Sequence, residues 1–438
     1  MARRTYTNKY GLYGGDARRL YTSSSHRNMM IYGKAPRRWP KVVLAIVIAL
    51  IVVLCVVQFA CGGLPFLSDD AEQEETVEST ESEETTESEE SESVDEELAA
   101  QEAEYGTYQE GLSTTITVSA LGDCTLGTDD AFSTDTNFTS VYDANGAGYF
   151  FESVLPITSA DDLTIANLEG PLTDSKDEAE GKTYNFHGPA EYTSILTKGS
   201  VEAVNLANNH SFDYGEDGYE DTKDNLEEAS ISNFGYDRVA VTTVNNIKVG
   251  LFGINQLSQS DPEAVMLSDI EELKAEGCAL IIGMFHWGTE LSYEASDEMV
   301  ELAHTAIDNG VDLVLGTHPH VVGGIEVYNG RYICYSLANF CFGGNDDPTD
   351  YDTMIFTQTF TFENGWLTMG DDELDDIAIV PCSVSSSSSI NTYQPTPLTG
   401  DTATTLLEKI NSCSEALSGE SVLFSTSLAD DGYAYLSE

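Results

Sequence analysis

The stretch NLANNHSFDYG places two amides and an imidazole side by side, those of Asn208, Asn209 and His210, shortly after the apolar run VEAV. A charged run that is typical of a helix comes next. A sheet edge has no packing need for such a cluster. Carboxylate, amide and imidazole groups together are what hard-to-borderline divalent cations select, so the stretch indicates a metal or phosphate site.

More side chains of this kind fall where predicted strands stop. They are Asp123, Glu169, His286, His318 and His320. In open α/β sheets ligands bind beyond the carboxyl ends of strands, so these distant segments can converge. Each residue alone also has a structural explanation, such as a turn for Asp123 or a helix cap for Asn209. The repeated placement favours a metal site.

Two other histidines differ from this set. His304 lies inside a helical pattern, and we interpret it as structural. His187 lies in the Gly-Pro loop of YNFHGPAEY near the start of a helix, from which it can reach the pocket. We therefore treat His187 as a candidate substrate contact.

Strand and helix patterns alternate over roughly 200 residues, which predicts an α/β sheet with helices on its faces. The predicted strands are 116–123, 163–169, 201–207, 278–286 and 311–318, and the predicted helices lie near 262–276, 294–309 and 402–419. Hairpin turns are predicted at Asn245-Asn246, Asn329-Gly330 and Asn364-Gly365. We expect the antiparallel pairs of the final third to form a second sheet, giving a layered sandwich within a folded domain at 112–438.

Charge is distributed unevenly along the 438 residues. Ten of the 19 Lys and Arg residues lie in 1–41, where Asp16 is the only acid, and we predict a disordered cytoplasmic head there. After residue 61 the chain has 74 acids and nine bases, a formal charge of −65. Because no basic surface is available to replace counterions on phosphates, we exclude nucleic acid as a partner.

Residues 42–60 are nineteen in number with one polar member, Gln58. A helix of about that length crosses a bilayer core of roughly 30 Å. Basic residues mass before it, at Lys41 and upstream, which predicts a cytoplasmic N-terminus and an extracellular C-terminal domain. The long charged region argues against a cleaved signal peptide, and the residues before Cys61 match a lipobox poorly. We predict a single-pass membrane anchor.

The segment 61–111 is predicted to be a disordered acidic linker. Residues 69–104 contain 18 acids in 36 positions and no aromatic or basic residue, so the segment repels itself and cannot bury apolar surface. A calcium-binding role is the alternative to a solvated stalk. The eight cysteines contain no CxxC, which argues against structural zinc and leaves free thiols or one or two disulfides open.

The segments GDCTLG, NLEGPLT, NLANNHSFDYG, FHWGTE and GTHPHVVGGIEVYNGRYICYSLANF occur in this order. They resemble the CapA family of poly-γ-glutamate capsule proteins, which is itself similar to calcineurin-like metallophosphoesterases. The resemblance covers 115–345 and implies a metallophosphoesterase-like four-layer α/β/β/α core. It also implies one or two divalent ions (Mn, Zn or Fe) as cofactor.

The same resemblance implies six metal ligands: Asp123, Glu169, Asn209, His286, His318 and His320. Glu169 would bridge a first site, with Asp123 and His320, and a second site. The expected catalytic residues are Asp123 and His210, the latter protonating the departing oxygen. Supporting or substrate-contacting roles are expected for the remaining residues of the motifs: Asn208, Trp287, Glu290 and Asn339.

The sequence departs from the phosphoesterase pattern at two ligand positions. Thr125 stands where the first motif has a histidine, and Glu169 replaces an aspartate. The sequence therefore leaves open whether one metal or two are bound, and whether the bound metal supports hydrolysis. Ala338 replaces a family glycine, which we expect to be tolerated unless the backbone there needs a positive φ.

We expect a membrane-anchored protein acting in synthesis or attachment of a poly-γ-glutamate-type capsule through a metal-dependent hydrolase-like site. Its expected partners are capsule-synthesis membrane proteins and the anionic polymer. The alternatives are an exported metallophosphoesterase acting on phosphodiesters or nucleotides, and a non-catalytic binding module. A surface near −65 repels polyglutamate unless divalent cations bridge them, which favours a metal-centred pocket over a polymer-coating scaffold.

Overall fold

A computed structural model describes residues 113–132, 135–236, 238–368 and 377–437. The predicted cytoplasmic head, the membrane segment 42–60 and the acidic linker 61–111 lie outside these residues. Within the part that is described, no helix has both the length and the apolar character needed to cross a bilayer.

The strands are numbered along the chain. They are β1 (Ser113–Thr125), β2 (Thr128–Asp129), β3 (Leu163–Leu168), β4 (Phe186–His187), β5 (Ala203–Asn205), β6 (Ser232–Phe234), β7 (Ala240–Val244), β8 (Ile247–Asn255), β9 (Leu280–His286), β10 (Leu313–Thr317), β11 (Ile325–Tyr328), β12 (Arg331–Cys334), β13 (Asn339–Phe342), β14 (Asp352–Glu363), β15 (Trp366–Leu367), β16 (Ile377–Ser383), β17 (Thr396–Pro397), β18 (Glu420–Ser421) and β19 (Ala434–Tyr435).

The α-helices connect these strands. They are α1 (Phe138–Asn145), α2 (Leu155–Thr158), α3 (Thr193–Lys198), α4 (Gly215–Glu228), α5 (Pro262–Ala275), α6 (Asp297–Asp308) and α7 (Gly400–Glu415). The longer helices begin at recognisable sequence signals. Asp261 caps α5 ahead of Pro262, and Ser296 caps α6 by accepting a bond from Met299 N.

Two large sheets contain most of the strands. The first has ten strands, with the order β17-β16-β14-β1-β3-β5-β6 and with β13, β15 and β19 paired to β1, β14 and β16. The second has seven, in the order β18-β11-β12-β10-β9-β8-β7. β1, β3, β5 and β6 are parallel, as are β8, β9, β10 and β12. The carboxyl ends of each parallel set therefore share one edge of their sheet.

Side-chain alternation explains how the layers pack. Inward residues of both sheets, such as Val118 and Leu315, form one core between them. The outer face of the first sheet packs against Tyr219 and Leu226 of α4. The outer face of the second packs against α5 and α6. The result is a helix, sheet, sheet, helix arrangement, and the expected α/β class with two layered sheets is confirmed.

The predicted hairpins are present, but one expectation about the sheets was wrong. Both turn residues of Asn245-Asn246, Asn329-Gly330 and Asn364-Gly365 have positive φ, as two-residue hairpin turns require. The final third, however, does not build the second sheet by itself. β14 pairs with β1 in the first sheet, whereas β11 and β12 join the second. The reason is that β1 is central and takes a partner on each side.

Candidate metal centre

A β-bulge directs Asp123 into the space between the sheets. Inward side chains alternate along β1 up to Ala120. From Leu121 to Asp123 the strand then advances two residues while β3 advances one. Such an extra residue shifts the later side chains of the strand to the other face, so Asp123 faces inward. The inserted Gly122 packs tightly, since a Cβ there would lie 1.9 Å from Ala338 O.

The structure brings two overlapping groups of ligand-type side chains together. One group is Asp123, Glu169 and His320, and the other is Glu169, His286 and His318. In each group the ligand atoms lie within 4.8 Å of one another. Glu169 belongs to both groups and is 1% exposed, so its carboxylate lies between them in a buried position. The strand-end placement seen in the sequence accounts for this convergence.

The environment of His286 suits one of its ring nitrogens to a metal. Nδ1 lies 3.0 Å from Thr317 Oγ1, which donates to Phe285 O (3.2 Å), and 3.3 Å from Asn167 Nδ2. Nε2 faces Glu169 Oε1 (3.6 Å) and Asn209 Oδ1 (2.8 Å). A cation bound at Nε2 would place the ring proton on Nδ1, where Thr317 Oγ1 accepts it.

Two buried polar atoms of the centre have no hydrogen-bond partner among the described residues, Glu169 Oε1 and His318 Nδ1. Each such atom costs about 1–3 kcal/mol when left unpaired. Burial and the charge of Asp123 raise the pKa of Glu169 to about 7. Burial, and then the neighbouring His320, lower the pKa of His318 to about 4, and burial lowers that of His286 well below 6.5. Neutral imidazoles with free lone pairs fit a divalent cation.

His320 sits in the carboxylate-rich half of the cluster. Its Nδ1 lies 3.2 Å from Asp123 Oδ2 and 2.8 Å from Asn339 Oδ1. Burial acts to lower the pKa of His320, but Glu169 and Asp123 outweigh it and raise the pKa to about 10. This half of the cluster therefore favours positive charge, and the Asn339 amide contacts the histidine as expected.

Asn167 and Asn205, which the sequence did not single out, form a network with Asn208 beside the ligand candidates. Asn167 Nδ2 donates to Asp123 Oδ1 (2.7 Å), and Asn167 Oδ1 accepts from Asn205 (2.9 Å) and Asn208 (3.2 Å). Asn208 also donates to Leu168 O (2.8 Å), which ties the loop after β5 to the end of β3. The available signal was a polar residue, Asn167, at an inward position of an apolar strand.

His210 is held by a second residue that the sequence did not single out, Asp213. His210 Nδ1 lies 2.6 Å from Asp213 Oδ2, and Asp213 is fully buried. Asp213 also accepts from Phe186 N (2.7 Å) and pairs with Lys182. The spacing of three residues in HSFD was the signal. Because Nδ1 is engaged, Nε2 is the nitrogen of His210 left for proton transfer.

Backbone strain is concentrated at the centre. His318 has a φ of 92° and His320 a φ of 58°. Ala338 has a φ of 62°, so the condition under which its replacement of glycine is costly does hold. A non-glycine residue in this region costs about 1–2 kcal/mol. Strained residues persist where the surrounding structure holds them, which is typical of functional sites.

Trp287 and His187, which were expected near the site, and His304, which was interpreted as structural, all lie apart from the two ligand groups. Trp287 is fully buried, stacks on Phe285 (ring centroids 4.8 Å apart) and donates to Tyr335 O, so it packs in the core instead of lining the pocket. His187 contacts Asp130 (3.3 Å) and Tyr214. His304 lies 3.0 Å from Glu326 Oε1.

Glu290 is exposed and acts on His320 through its charge. The six cysteines in the described part of the chain are free thiols, of which Cys413 alone is partly exposed.

These features define a class of protein, a two-sheet α/β domain with a candidate divalent-metal centre at the carboxyl ends of its strands. The chain belongs to the bacterial capsule synthesis protein family PGA_cap, whose model matches residues 117–344. The CapA resemblance found in the sequence is thereby confirmed.

Curated relatives share this segment. PGA biosynthesis protein CapA of Bacillus subtilis is 32% identical over 228 residues, covering 46% of this chain and 59% of the relative. Capsule biosynthesis protein CapA of Bacillus anthracis is 26% identical over 253 residues, covering 52% and 60%. A probable polyglutamine synthesis accessory protein of Mycobacterium tuberculosis is 26% identical, covering 47% and 60%. The chain thus spans about three fifths of the length of the curated relatives it matches.

Solved structures show more distant likenesses. The 5′-nucleotidase from Candida albicans aligns with a TM-score of 0.36 at 12% identity, covering 64% of this chain and 53% of that one. TT1561 of Thermus thermophilus aligns with a TM-score of 0.34 at 13% identity, covering 59% and 99%.

Proposed function

We propose that this protein is a divalent-metal-dependent hydrolase of phosphoester type that serves the synthesis or attachment of a poly-γ-glutamate-type surface polymer. The observation that carries the hydrolase proposal is the shared Glu169 between two three-residue groups. Its Oε1 and the Nδ1 of His318 have no hydrogen-bond partner among the described residues, and burial lowers the pKa values of His286 and His318. The names of the curated relatives support the polymer.

The proposed ligands divide into two sets that share Glu169. Asp123 and His320 complete one set, and Asn209, His286 and His318 complete the other. Divalent ions held there would supply Lewis acidity toward a phosphoryl oxygen and lower the pKa of a water molecule. The first set has three side chains and the second four, so the second is the tighter proposed site.

The chain's own residues supply the remaining chemistry. Asp213 holds His210 through Nδ1, which leaves Nε2 to donate a proton to the departing oxygen. Asn208 Oδ1 accepts from His210 N (3.1 Å) and fixes the backbone beside it. Asn167 and Asn339 orient Asp123 and His320, respectively, so the carboxylate and the imidazole keep their positions.

The cellular setting is part of the same proposal. Residues 42–60 would anchor the chain, with the N-terminus cytoplasmic and the C-terminal domain extracellular. Membrane proteins of capsule synthesis and the anionic polymer would be its partners. Divalent ions in the centre reconcile an acidic surface with an anionic polymer, since cations bridge the two.

The test is metal content and hydrolysis measured on the same preparations. We would purify the full-length protein, load it with Mn²⁺ or Zn²⁺, and follow release of nitrophenol from bis(4-nitrophenyl) phosphate. His318→Ala and Asp123→Ala remove one ligand from each proposed set. His304→Ala is the matched control, since His304 contacts Glu326 and lies outside both sets.

We expect tight metal in the parent and the control, loss of metal in both ligand variants, and turnover that tracks the metal. Metal that binds without any turnover would support the non-catalytic binding module instead. Folded protein that takes up no metal would contradict the hydrolase proposal.

A further inference from the structure

A strip of aromatic rings runs from the surface to His210. Tyr184 and Phe186 stack with centroids 6.0 Å apart and an interplanar angle of 9°, and Phe132 meets the edge of Tyr184 at 5.6 Å. Phe186 lies 4.6 Å from the His210 ring. We call Phe132, Tyr184 and Phe186 the aromatic strip.

Exposure along the strip changes in one direction. Tyr184 is 43% exposed, whereas Phe186 is 6% exposed and contacts the imidazole of His210. Exposing the apolar face of an aromatic ring to water is unfavourable in free energy, and covering that face removes this cost. A ring placed on Tyr184 would therefore be stabilised, and Phe186 would connect it to the group that protonates the leaving oxygen.

The position of the strip is fixed by Asp213. This carboxylate accepts from Phe186 N at 2.7 Å and also holds His210 Nδ1. One buried side chain thus sets both the proposed acid and the inner end of the strip. The leaving group of a substrate would occupy the strip, because it departs on the His210 side.

Charge around the strip restricts the ligand. Its rings lie on and around the two-stranded ribbon of β2 and β4, next to Asp129 and Asp130. Asp129 accepts from Ala131 N and Asn185 N, whereas Asp130 is 61% exposed in its side chain. An anionic ligand would be repelled here, and an exposed carboxylate is an acceptor for hydroxyl groups.

The same ribbon contains unpartnered polar atoms. Thr128 Oγ1, Asn185 Oδ1, His187 Nδ1 and the nearby Tyr214 hydroxyl are buried and lack hydrogen-bond partners in the described structure. His187 and Tyr214 rings are 4.3 Å apart, and Thr128 pairs with His187 across the ribbon. Water or ligand hydroxyls, which both donate and accept, would satisfy these groups.

We propose that the aromatic strip is a subsite for a neutral saccharide ring carried by the leaving group of the substrate. The apolar face of a sugar packs on aromatic rings, while its hydroxyls bond to carboxylate and amide oxygens. The inference rests on the proposed function for the direction of the leaving group. The stacking itself needs no metal.

The test is saturation-transfer NMR on the full-length protein with the neutral trisaccharide chitotriose. Tyr184→Ala should weaken binding about tenfold, equivalent to about 1.4 kcal/mol. Tyr435→Ala is the matched control, because Tyr435 is also 43% exposed but lies on β19. The control substitution should change the affinity for chitotriose by less than about twofold. Adding about 0.5 M NaCl should leave the affinity of the parent protein unchanged, since the ligand is neutral.

Three results would overturn the proposal: absence of saturation transfer to the trisaccharide, equal affinity in Tyr184→Ala and the parent, or binding that the added salt abolishes. The measurement is repeated with Glu169→Gln in EDTA. If this variant still binds the saccharide and no preparation hydrolyses the phosphodiester, the proposed metal centre is contradicted and the subsite is supported. If the parent hydrolyses the phosphodiester but does not bind the saccharide, the subsite is contradicted and the metal centre is supported.

Discussion

Two buried glutamates in this protein have opposite surroundings. Glu326 is 2% exposed, and its oxygens accept from the Tyr335 hydroxyl (2.6 Å) and contact His304 Nε2 (3.0 Å). Glu169 is 1% exposed, yet Oε1 has no hydrogen-bond partner among the described residues and Oε2 accepts from the Thr125 hydroxyl at 3.4 Å. Both carboxylates lie next to histidine, so residue type does not separate them.

The difference teaches how to tell a structural polar cluster from a site. At Glu326 both carboxylate oxygens are satisfied, and the cluster joins α6, β11 and the residue after β12. At Glu169 the unsatisfied Oε1 lies 3.6 Å from His286 Nε2. His318 Nδ1, in the same ligand group, also has no hydrogen-bond partner among the described residues. A buried polar group that the fold leaves unpaired calls for a ligand as its explanation, since native proteins satisfy nearly all such groups.

The comparison is tested most strongly by Glu169→Gln. We expect it to lower metal affinity by more than about 100-fold, because losing an outer partner of a ligand already costs about 10- to 100-fold. Folding should be retained, since the amide removes a buried charge. Isothermal titration with Mn²⁺ and urea unfolding measure the two quantities. Unchanged affinity would remove Glu169 from the proposed centre.

The reciprocal change is Glu326→Ala. It leaves the Tyr335 hydroxyl and His304 without their partner and should lower the free energy of unfolding by about 2 kcal/mol. Metal affinity should stay the same within about twofold, because neither group contains Glu326. Urea unfolding and titration of the same protein check this. A loss of metal with unchanged stability would reverse the assignment of the two clusters.

A smaller effect is expected from Thr317→Val, which keeps the shape but removes the acceptor of His286 Nδ1. The imidazole then loses its fixed tautomer, and metal affinity should fall about tenfold. Stability should change little. Thr305→Val on the exposed side of α6 is the control, since Thr305 Oγ1 donates to a carbonyl of its own helix. Equal affinities in both variants would argue against the assigned tautomer.

The smallest effect concerns Asp269 of α5, a carboxyl that belongs to neither cluster. Burial, with Glu272 second, raises the pKa of Asp269 to about 7. Because the folded pKa exceeds the unfolded value, its contribution to stability is present at low pH and is lost as pH rises toward 7. Asp269→Asn should therefore be more stable than the parent at about pH 8 and equal to it near about pH 4. The gain should stay below about 1 kcal/mol, because Asp269 is partly exposed and solvent screens its charge. Urea unfolding at both pH values tests the sign.

The sequence predicted the strands that carry the site and the residues at their ends. Apolar runs that stop at Asp123, Glu169, His286 and His318 were sufficient, because parallel strands bring their carboxyl ends to one edge. The Asn-Gly turns were likewise predictable from local chemistry. Helix α7 ends at Glu415, earlier than the Gly419 expected from the sequence.

Other features depend on contacts between distant segments. The role of Asn167 requires knowing that Asn205 and Asn208 meet it, and Thr317 matters only because the Phe285 carbonyl takes its hydroxyl proton. The pairing of β14 with β1 likewise depends on which sheet edge is free. Local propensity contains none of this, so the sheet division and the contacts of Asn167, Asn205 and Thr317 were missed.

The bulge at Gly122 has a consequence for how such a centre can be gained or lost. The chain of β1 is out of phase with its neighbour by one residue, and only after that offset does a carboxylate point toward the histidines. Pairing Gly122 as an ordinary strand residue would place Asp123 on the same face as Leu121, toward the outer core. The way one glycine is paired therefore separates a sheet that carries chemistry from one that only packs.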